Sequence, residues 1–268
     1  MVNFAQWRRY IPLRSAPPRP SEWPLPPEHF RRLVGLADPA YFNNPDGGPA
    51  FRDITLPIPQ DRLYSRVFDL GCGCGRQARQ LVQMRQPPQE YVGVDISKPM
   101  IRWCQDNLIH PGFSFHHHDV YDSVYASNNS RHRTRPLPFP RDHFTLLNAH
   151  SVFTHLLIDQ TRFYLKELRD LATGDGVIRT TWFFFNRDMI PVLNPDQHCM
   201  FINDEHPTHA VYYAWSWFQS FTAELGLLVA DVQWSPILGH QNTVLLTKDP
   251  AIGKPADQFT PSSNVIGY

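Results

Sequence analysis

The sequence predicts an α/β protein built on a doubly wound, mostly parallel sheet of seven strands with an antiparallel last strand. Three observations carry that expectation. From Arg66 onward, short apolar runs alternate with segments of helical period. The glycine-rich run DLGCGCG, Asp69 to Gly75, stands between the first such strand and the first such helix. Near the end, LLVADVQW and NTVLLTK are joined by SPILGHQ, too short for a parallel crossover, so these two strands pair antiparallel.

Residues 1–59 read as a proline-rich arm followed by a helix. The prolines of APPRPSEWPLPPEHF keep the first 24 residues extended. Phe30, Leu33 and Val34, at i, i+3 and i+4, predict a helix over Pro27–Ala37. NNPDGGPAF reads as loop. The main domain, residues 60–250, begins with the strand RVFDL and the helix RQARQLVQM, whose Ala78, Leu81 and Val82 share a face. YVGVDI is the second strand, and KPMIRWCQDNL a helix with Met100, Cys104 and Leu108 four apart. FSFHHHDV and HFTLLNA follow as strands. DQTRFYLKELRDLAT is a helix with Asp159 at its N-cap, Leu165, Leu168, Leu171 and Ala172 on one face, and Gly174 just past its end. GVIRTTWFFF is the fifth strand. Residues 186–214 show no period and read as an insertion capping the acceptor side. A helix over 214–225, with Trp217, Phe218, Phe221 and Leu225 along it, leads into the two closing strands. Residues 251–268 form a tail.

Composition narrows the function classes. The 268 residues, 42% hydrophobic, suffice for one substantial core. Basic and acidic residues balance at 25 each, without the excess of cations that a grip on phosphates requires, so nucleic acid is not expected as a partner. Four cysteines, Cys72, Cys74, Cys104 and Cys199, are too few and too scattered for a secreted disulfide framework. MVNFAQWRRYIPLRSAPP has no apolar core of a signal peptide, and no run approaches a membrane span. A soluble, cytoplasmic protein is the expectation; the oligomeric state is left open.

Three roles suit the glycine run: a cofactor cradle, a Cys-x-Cys metal site, or a tight strand-to-helix turn. Cys72 and Cys74 lack a second pair at zinc spacing, which argues against metal. Glycines after the first strand let a ligand approach backbone N–H groups, and the second strand ends in Asp95, an acid placed to accept from ribose hydroxyls. In the dinucleotide fingerprint G-x-G-x-x-G the last glycine comes later; here Gly75 arrives one place early and Arg76 follows it. That mismatch counts against hydride transfer.

VFDLGCGCGR followed by YVGVDIS resembles the first two motifs of class I S-adenosylmethionine-dependent methyltransferases, which have a Rossmann-like sheet. The resemblance continues through HHHDV, RPLPFPRDHFTLLNAHSVFTHL and LKELRDLATGDGVIRTT, covering residues 60–185. SVFTHL looks like the signature of a subgroup whose members often resemble enzymes that modify sugars or polysaccharides. The resemblance implies an enzyme that uses S-adenosyl-L-methionine and releases S-adenosyl-L-homocysteine. Residue by residue, it implies that Asp69 and the backbone of Gly71, Gly73 and Gly75 hold the methionine part of the cofactor. Asp95 would bind the ribose, with Ile96 and Met100 near the adenine. Asp119 would receive the adenine amino group, with Val120 beside the ring. Ala149 and His150 would lie under the cofactor near the sulfonium. GDG at 174–176 stands where the family more often has two adjacent glycines.

A sulfonium methyl is already electrophilic, so the protein must place the acceptor in line and take a proton from it. HSVFTHLLID offers His150 and His155, whose imidazoles titrate near neutrality. Resemblance to some sugar methyltransferases favours His155 as the base; capping or loop packing is its structural alternative. The expected reaction is therefore O-methylation of a small acceptor, a glycan or a nucleotide-sugar. N-methylation of an amino sugar is one alternative, and a non-catalytic cofactor-binding scaffold another. An adenine-directed nucleic-acid enzyme would carry Asn/Asp-Pro-Pro-aromatic after the fourth strand, where NAHSVF stands.

His116, His117 and His118 alternate faces in a strand and cannot converge on one ion. RHRTR at 131–135 reads as a solvated loop, or as a dock for a phosphate-bearing acceptor. Tyr212, Tyr213, Trp215 and Trp217 read equally as a sugar platform and as core or an oligomer contact. In GHQNTVLLTK, Asn242 stands where the subgroup often has an acid.

Overall fold

The computed structural model describes residues 23–35, 37–194 and 196–267. Among the described residues, nine strands form the sheet: β1 (Arg66–Leu70), β2 (Glu90–Asp95), β3 (Phe113–His117), β4 (Phe144–Ala149), β5 (Ala172–Phe185), β6 (Cys199–Phe201), β7 (Val211–Ala214), β8 (Leu228–Gln233) and β9 (Asn242–Thr247). β1 pairs in parallel with β2 on one side and β4 on the other, with β3 parallel beyond β2 and β5 parallel beyond β4. β9 then pairs antiparallel with both β5 and β8. The order of the first strands reverses between β1 and β4. That switch point opens a crevice above their carboxyl ends.

Both faces of the sheet are covered because consecutive strand residues point to opposite sides, and both sides are apolar. Phe68, Leu147, Ile178, Val244 and Leu246 join one core with α5 (Ile158–Leu171) and α6 (Trp215–Glu224). Their neighbours Val67, Leu146, Val177 and Leu245 join the other, with α3 (Arg76–Val82) and α4 (Lys98–Asn107). α1 (Glu28–Leu33) and α2 (Gln60–Leu63) are short and precede the sheet.

Four features depart from the sequence reading. α1 stops at Leu33, well short of Ala37, and Leu33 is 65% exposed. α5 is capped at Leu157, two residues earlier than Asp159 implied, because Gln160 Oε1 reaches back to accept from the Leu157 N–H. Gly174 caps nothing: the chain passes from α5 straight into β5 at Ala172, which pairs with Phe144. Finally, residues 186–214 contribute strands. β7 pairs in parallel with Phe183–Phe185, which overrun the ends of β4 and β9, and β6 pairs antiparallel with β7. Strands of three and four residues are too short to display a period.

Boundaries at 59 and 251 do not separate packing units. Trp23 and Phe51 are buried in the core under α3 and α4, and Phe42 packs with Cys74 and Met100. At the other end Val265 is buried, and the Asn186 N–H donates to the Ile266 carbonyl at 2.7 Å. Most of the expected proline-rich arm, residues 1–22, lies outside the described residues. Among the described residues, no helix is long and apolar enough to cross a membrane.

Candidate active site

A cavity of about 510 Å³ opens above the carboxyl ends of β1, β2 and β4, within the size range of ligand pockets. Its floor is the turn after β1. Gly71 and Gly73 adopt φ of +74° and +55°, and the Gly71 and Cys72 N–H groups both donate to the Val94 carbonyl. Side chains are excluded there: a Cβ on Gly71 would lie 2.4 Å from Val152 Cγ2, and one on Gly73 2.6 Å from Val34 Cγ1. Cys72 and Cys74 fill small buried spaces, and burial pushes both thiols up, the opposite of a metal-ready or nucleophilic cysteine.

The sequence-predicted residues divide into those that line the cavity and those that do not. Asp69, Gly71, Gly73, Asp95, Ile96, Met100, Val120, His150 and His155 line it. Gly75, Asp119 and Ala149 are not among the lining residues. Gly75 is the left-handed N-cap of α3 and serves packing, since a Cβ there would meet Leu108 Cδ1 at 2.3 Å. Asp119 turns back to accept the Ser130 N–H at 3.0 Å. Ala149 is wholly buried beneath the sheet edge, between Asn148 and His150, which do reach the cavity.

The two acids of the floor are held differently. Asp69 is buried and accepts from Tyr91 Oη and Asn148 Nδ2, each at 2.7 Å. Burial pushes its carboxyl up to about 6 against the pull of those two bonds. Asp95 accepts from the Gly73 N–H at 2.8 Å and the Ser97 N–H at 2.7 Å, which locks the glycine turn to the end of β2. Burial raises its carboxyl too, with those backbone bonds opposing.

The two histidines present opposite nitrogens. Arg179 Nη1 donates to His150 Nδ1 at 3.3 Å, so the proton of this ring sits on Nε2. Burial, with Arg179 and Arg76 nearby, drives its pKa down to about 3. His155 ends a short 3-10 turn, Phe153–His155, and its Nδ1 lies 2.9 Å from the Thr208 carbonyl. A carbonyl only accepts, so Nδ1 carries the proton and Nε2 presents a lone pair. Burial keeps this ring's pKa below the ordinary value, while the backbone carbonyl works against it.

Several lining groups escaped the sequence reading. Arg76, seen only as a departure from a fingerprint, lines the cavity with no hydrogen-bond or ion-pair partner among the described residues. Asn148 links Asp69 to Arg179, accepting from Arg179 Nη1 at 2.9 Å, and Arg179 in turn is paired with Asp53. Their signal was visible: a buried polar residue interrupting the apolar runs FTLLNA and GVIRTTWFFF. The outer wall is the loop from Tyr121 to Arg133, turned by Asp122, whose Oδ1 accepts the Val124 and Tyr125 N–H groups. Tyr125 packs edge-on against His155, with ring centroids 5.2 Å apart.

The aromatic residues of 212–217 do not line the cavity. Tyr213, Trp215 and Trp217 are buried around Trp182 and Phe218, and Tyr212 stacks on Phe183. The three adjacent histidines diverge, to Ser114 Oγ, the Ile96 carbonyl and Tyr164 Oη respectively.

These donors and acceptors suit a nucleoside-bearing sulfonium amino acid. Acceptor-only carboxylates, apolar Ile96, Met100 and Val120, a close-approach turn and the unpaired cation Arg76 border one cavity. A family model described as a methyltransferase domain matches residues 67–176. Among solved structures, the chain is similar to an S-adenosylmethionine-dependent methyltransferase from Leishmania major, at 14% identity and a TM-score of 0.55, covering 82% of this chain and 78% of that one. It is also similar to one from Aquifex aeolicus, at 14% identity and a TM-score of 0.51, covering 83% of this chain and 98% of that one. At such identities the likeness speaks for the fold, while the domain match speaks for the chemistry. With the glycine turn, the switch point and much of the cavity lining inside that match, residues 67–176 form a methyltransferase domain, and the cavity above it suits S-adenosylmethionine.

Proposed function

We propose that this enzyme methylates a hydroxyl oxygen of a small acceptor, a sugar of a glycan or a nucleotide-sugar, with His155 as the base. The observation that carries the reading is the tautomer of His155: Nδ1 is committed to the Thr208 carbonyl, which leaves Nε2 free to take a proton at the cavity. His150, protonated on Nε2 and held to a pKa of about 3, is poorly suited to that task and acts instead as a fixed donor beside Arg179.

When bound, S-adenosylmethionine supplies an electrophilic methyl on a sulfonium. The chain's own residues bind, orient and deprotonate. Asp69, Gly71, Gly73 and Arg76 take the methionine end, Arg76 pairing with its carboxylate. Asp95 takes the ribose hydroxyls, and Ile96, Met100 and Val120 enclose the adenine. Gly75 and Ala149 support this set from behind, and Asp119 fixes the loop that carries Ser130. Arg133 lines the cavity and supports a phosphate-bearing acceptor. The balanced charge supports small molecules over nucleic acids.

The test is transfer of label from radioactive S-adenosylmethionine to a panel of glycosides, nucleotide-sugars, amino sugars and phenols. His155→Gln should lower turnover by about 10²–10⁴-fold and leave S-adenosylhomocysteine affinity intact. An undiminished rate in that variant would remove His155 from the chemistry. Tight cofactor binding without label in any acceptor would favour the scaffold alternative, and label confined to amines the N-methylation alternative.

A further inference from the structure

Ser151 is one of two non-glycine residues with positive φ among the described residues, at +57°, and it lines the cavity between His150 and Val152. Such a conformation persists only where surroundings enforce it. Here two groups do so. The Ser151 N–H donates to Thr181 Oγ1 at 2.7 Å, and Gln241 Nε2 donates to Ser151 Oγ at 2.9 Å. Gln241 comes from the end of the loop before β9, 90 residues away in sequence.

A serine hydroxyl has one hydrogen to give and two lone pairs to receive. With Gln241 donating into one lone pair, the Ser151 hydrogen must find an acceptor. The protein acceptor within reach is His155 Nε2, at 3.5 Å, a long contact for this pair. The cavity therefore presents, side by side, one O–H donor and one imidazole lone pair. Asp122 and Tyr125 on the outer loop and His209 beside Thr208 are the other ionisable groups near this imidazole.

We infer that Ser151, oriented by Gln241, selects an oxygen acceptor over a nitrogen acceptor by donating its hydrogen to the attacking atom while His155 Nε2 takes that atom's proton. The inference rests on the reading of His155 as base. A hydroxyl oxygen has two lone pairs: one forms the bond to the methyl carbon, and the other accepts from Ser151. An amine nitrogen has a single lone pair, which the attack consumes, so the Ser151 hydrogen is left facing N–H donors. In the balanced step the O–CH₃ bond forms, the S–CH₃ bond breaks and its electron pair stays on sulfur as the thioether. The hydroxyl proton moves to Nε2 and later to solvent.

The experiment uses tritiated S-adenosylmethionine with two matched probe sets, methyl glycosides and the corresponding amino sugars kept above their amine pKa. The wild-type enzyme should label the hydroxyl set about tenfold faster or more. Ser151→Gly, which takes up the left-handed backbone freely, and Gln241→Glu, whose carboxylate draws the Ser151 hydrogen away, should each bring the two rates within about threefold. S-adenosylhomocysteine affinity should hold in both. Nitrogen-15 histidine spectra of the S-adenosylhomocysteine complex supply a readout without acceptor: His155 should be protonated on Nδ1, and Ser151→Gly should raise its pKa. Faster labelling of amines by the wild type, an unchanged preference in both variants, or an Nε2–H tautomer overturns the inference. If neither probe set takes label, the titration decides alone, and an unchanged His155 pKa in Ser151→Gly overturns it. Failure of this selection with His155→Gln still impaired would leave the base assignment standing.

Discussion

Asn148 donates its side-chain amide to Asp69 Oδ1 at 2.7 Å, joining the penultimate residues of β4 and β1 directly beneath the cavity. The bond is one of two that oppose the cost of burying the Asp69 carboxyl, and they do not cancel it: burial still carries the group up to about 6. An acid whose folded pKa exceeds the ordinary 3.8 gives stability that is complete below that value and lost as pH rises through 6. Asp69→Asn should therefore make the cofactor-free protein more stable at pH 7.5 by about 1–3 kcal/mol. The Tyr91 hydroxyl can turn to accept from the new amide. The gain should vanish near pH 4, and cofactor affinity should fall. Urea unfolding at the two pH values checks this; a loss of stability at pH 7.5 would show that the carboxylate is better solvated than its burial implies.

Acid should destabilise the protein from an unusually high pH. Burial lowers His118 to about 4 and His150 to about 3, and it lowers His155 as well. Each is neutral when folded and binds its proton in the unfolded chain first, so stability is lost as pH falls below 6.5 toward those values. Each histidine adds a slope of about 1.4 kcal/mol per pH unit at most. Asp69 and Asp95 run the other way, and the three histidines outnumber them. His150→Gln should flatten the melting-temperature profile between pH 4 and 6. A profile identical to wild type would mean that this ring already protonates in the folded state. The activity limb follows the same sign: with His155 below its ordinary value, turnover should be level above pH 7 and fall only in acid.

Gly73 and Gly75 should separate binding from packing. Gly75→Ala drives a Cβ to 2.3 Å from Leu108 Cδ1 and 3.2 Å from Cys104 Sγ at φ +80°, away from the cavity. It should cost about 2–4 kcal/mol of stability and leave the affinity of the folded fraction unchanged. Gly73→Ala meets Val34, itself a lining residue, so it should weaken S-adenosylhomocysteine binding as well. Calorimetry on both variants, beside denaturant unfolding, reads the two effects apart. Equal losses of affinity would put Gly75 back among the binding residues.

Arg76→Met should weaken S-adenosylhomocysteine binding by about 10–100-fold, the value of a charge-assisted pair with the amino-acid carboxylate. 5′-Methylthioadenosine, which lacks that carboxylate, should bind both proteins alike. A parallel loss for the two ligands would assign Arg76 to shaping the cavity.

What the sequence by itself determined is the local part of this protein. The alternation of strands and helices, the antiparallel closing pair, the glycine turn and the acid ending β2 arise from neighbours within a few residues, where period, turn chemistry and loop length act directly. Tertiary structure decided which polar groups meet. Arg179 finds Asp53 across 126 residues, Gln241 finds Ser151 across 90, and His155 finds Thr208 across 53. No spacing rule encodes those meetings, because they depend on how β4, β5 and β9 are laid side by side and on what the 186–214 segment packs against. The same packing sent Gly75 to a helix contact and Tyr213, Trp215 and Trp217 into the core, since burying large aromatic surface outweighed any use at the cavity.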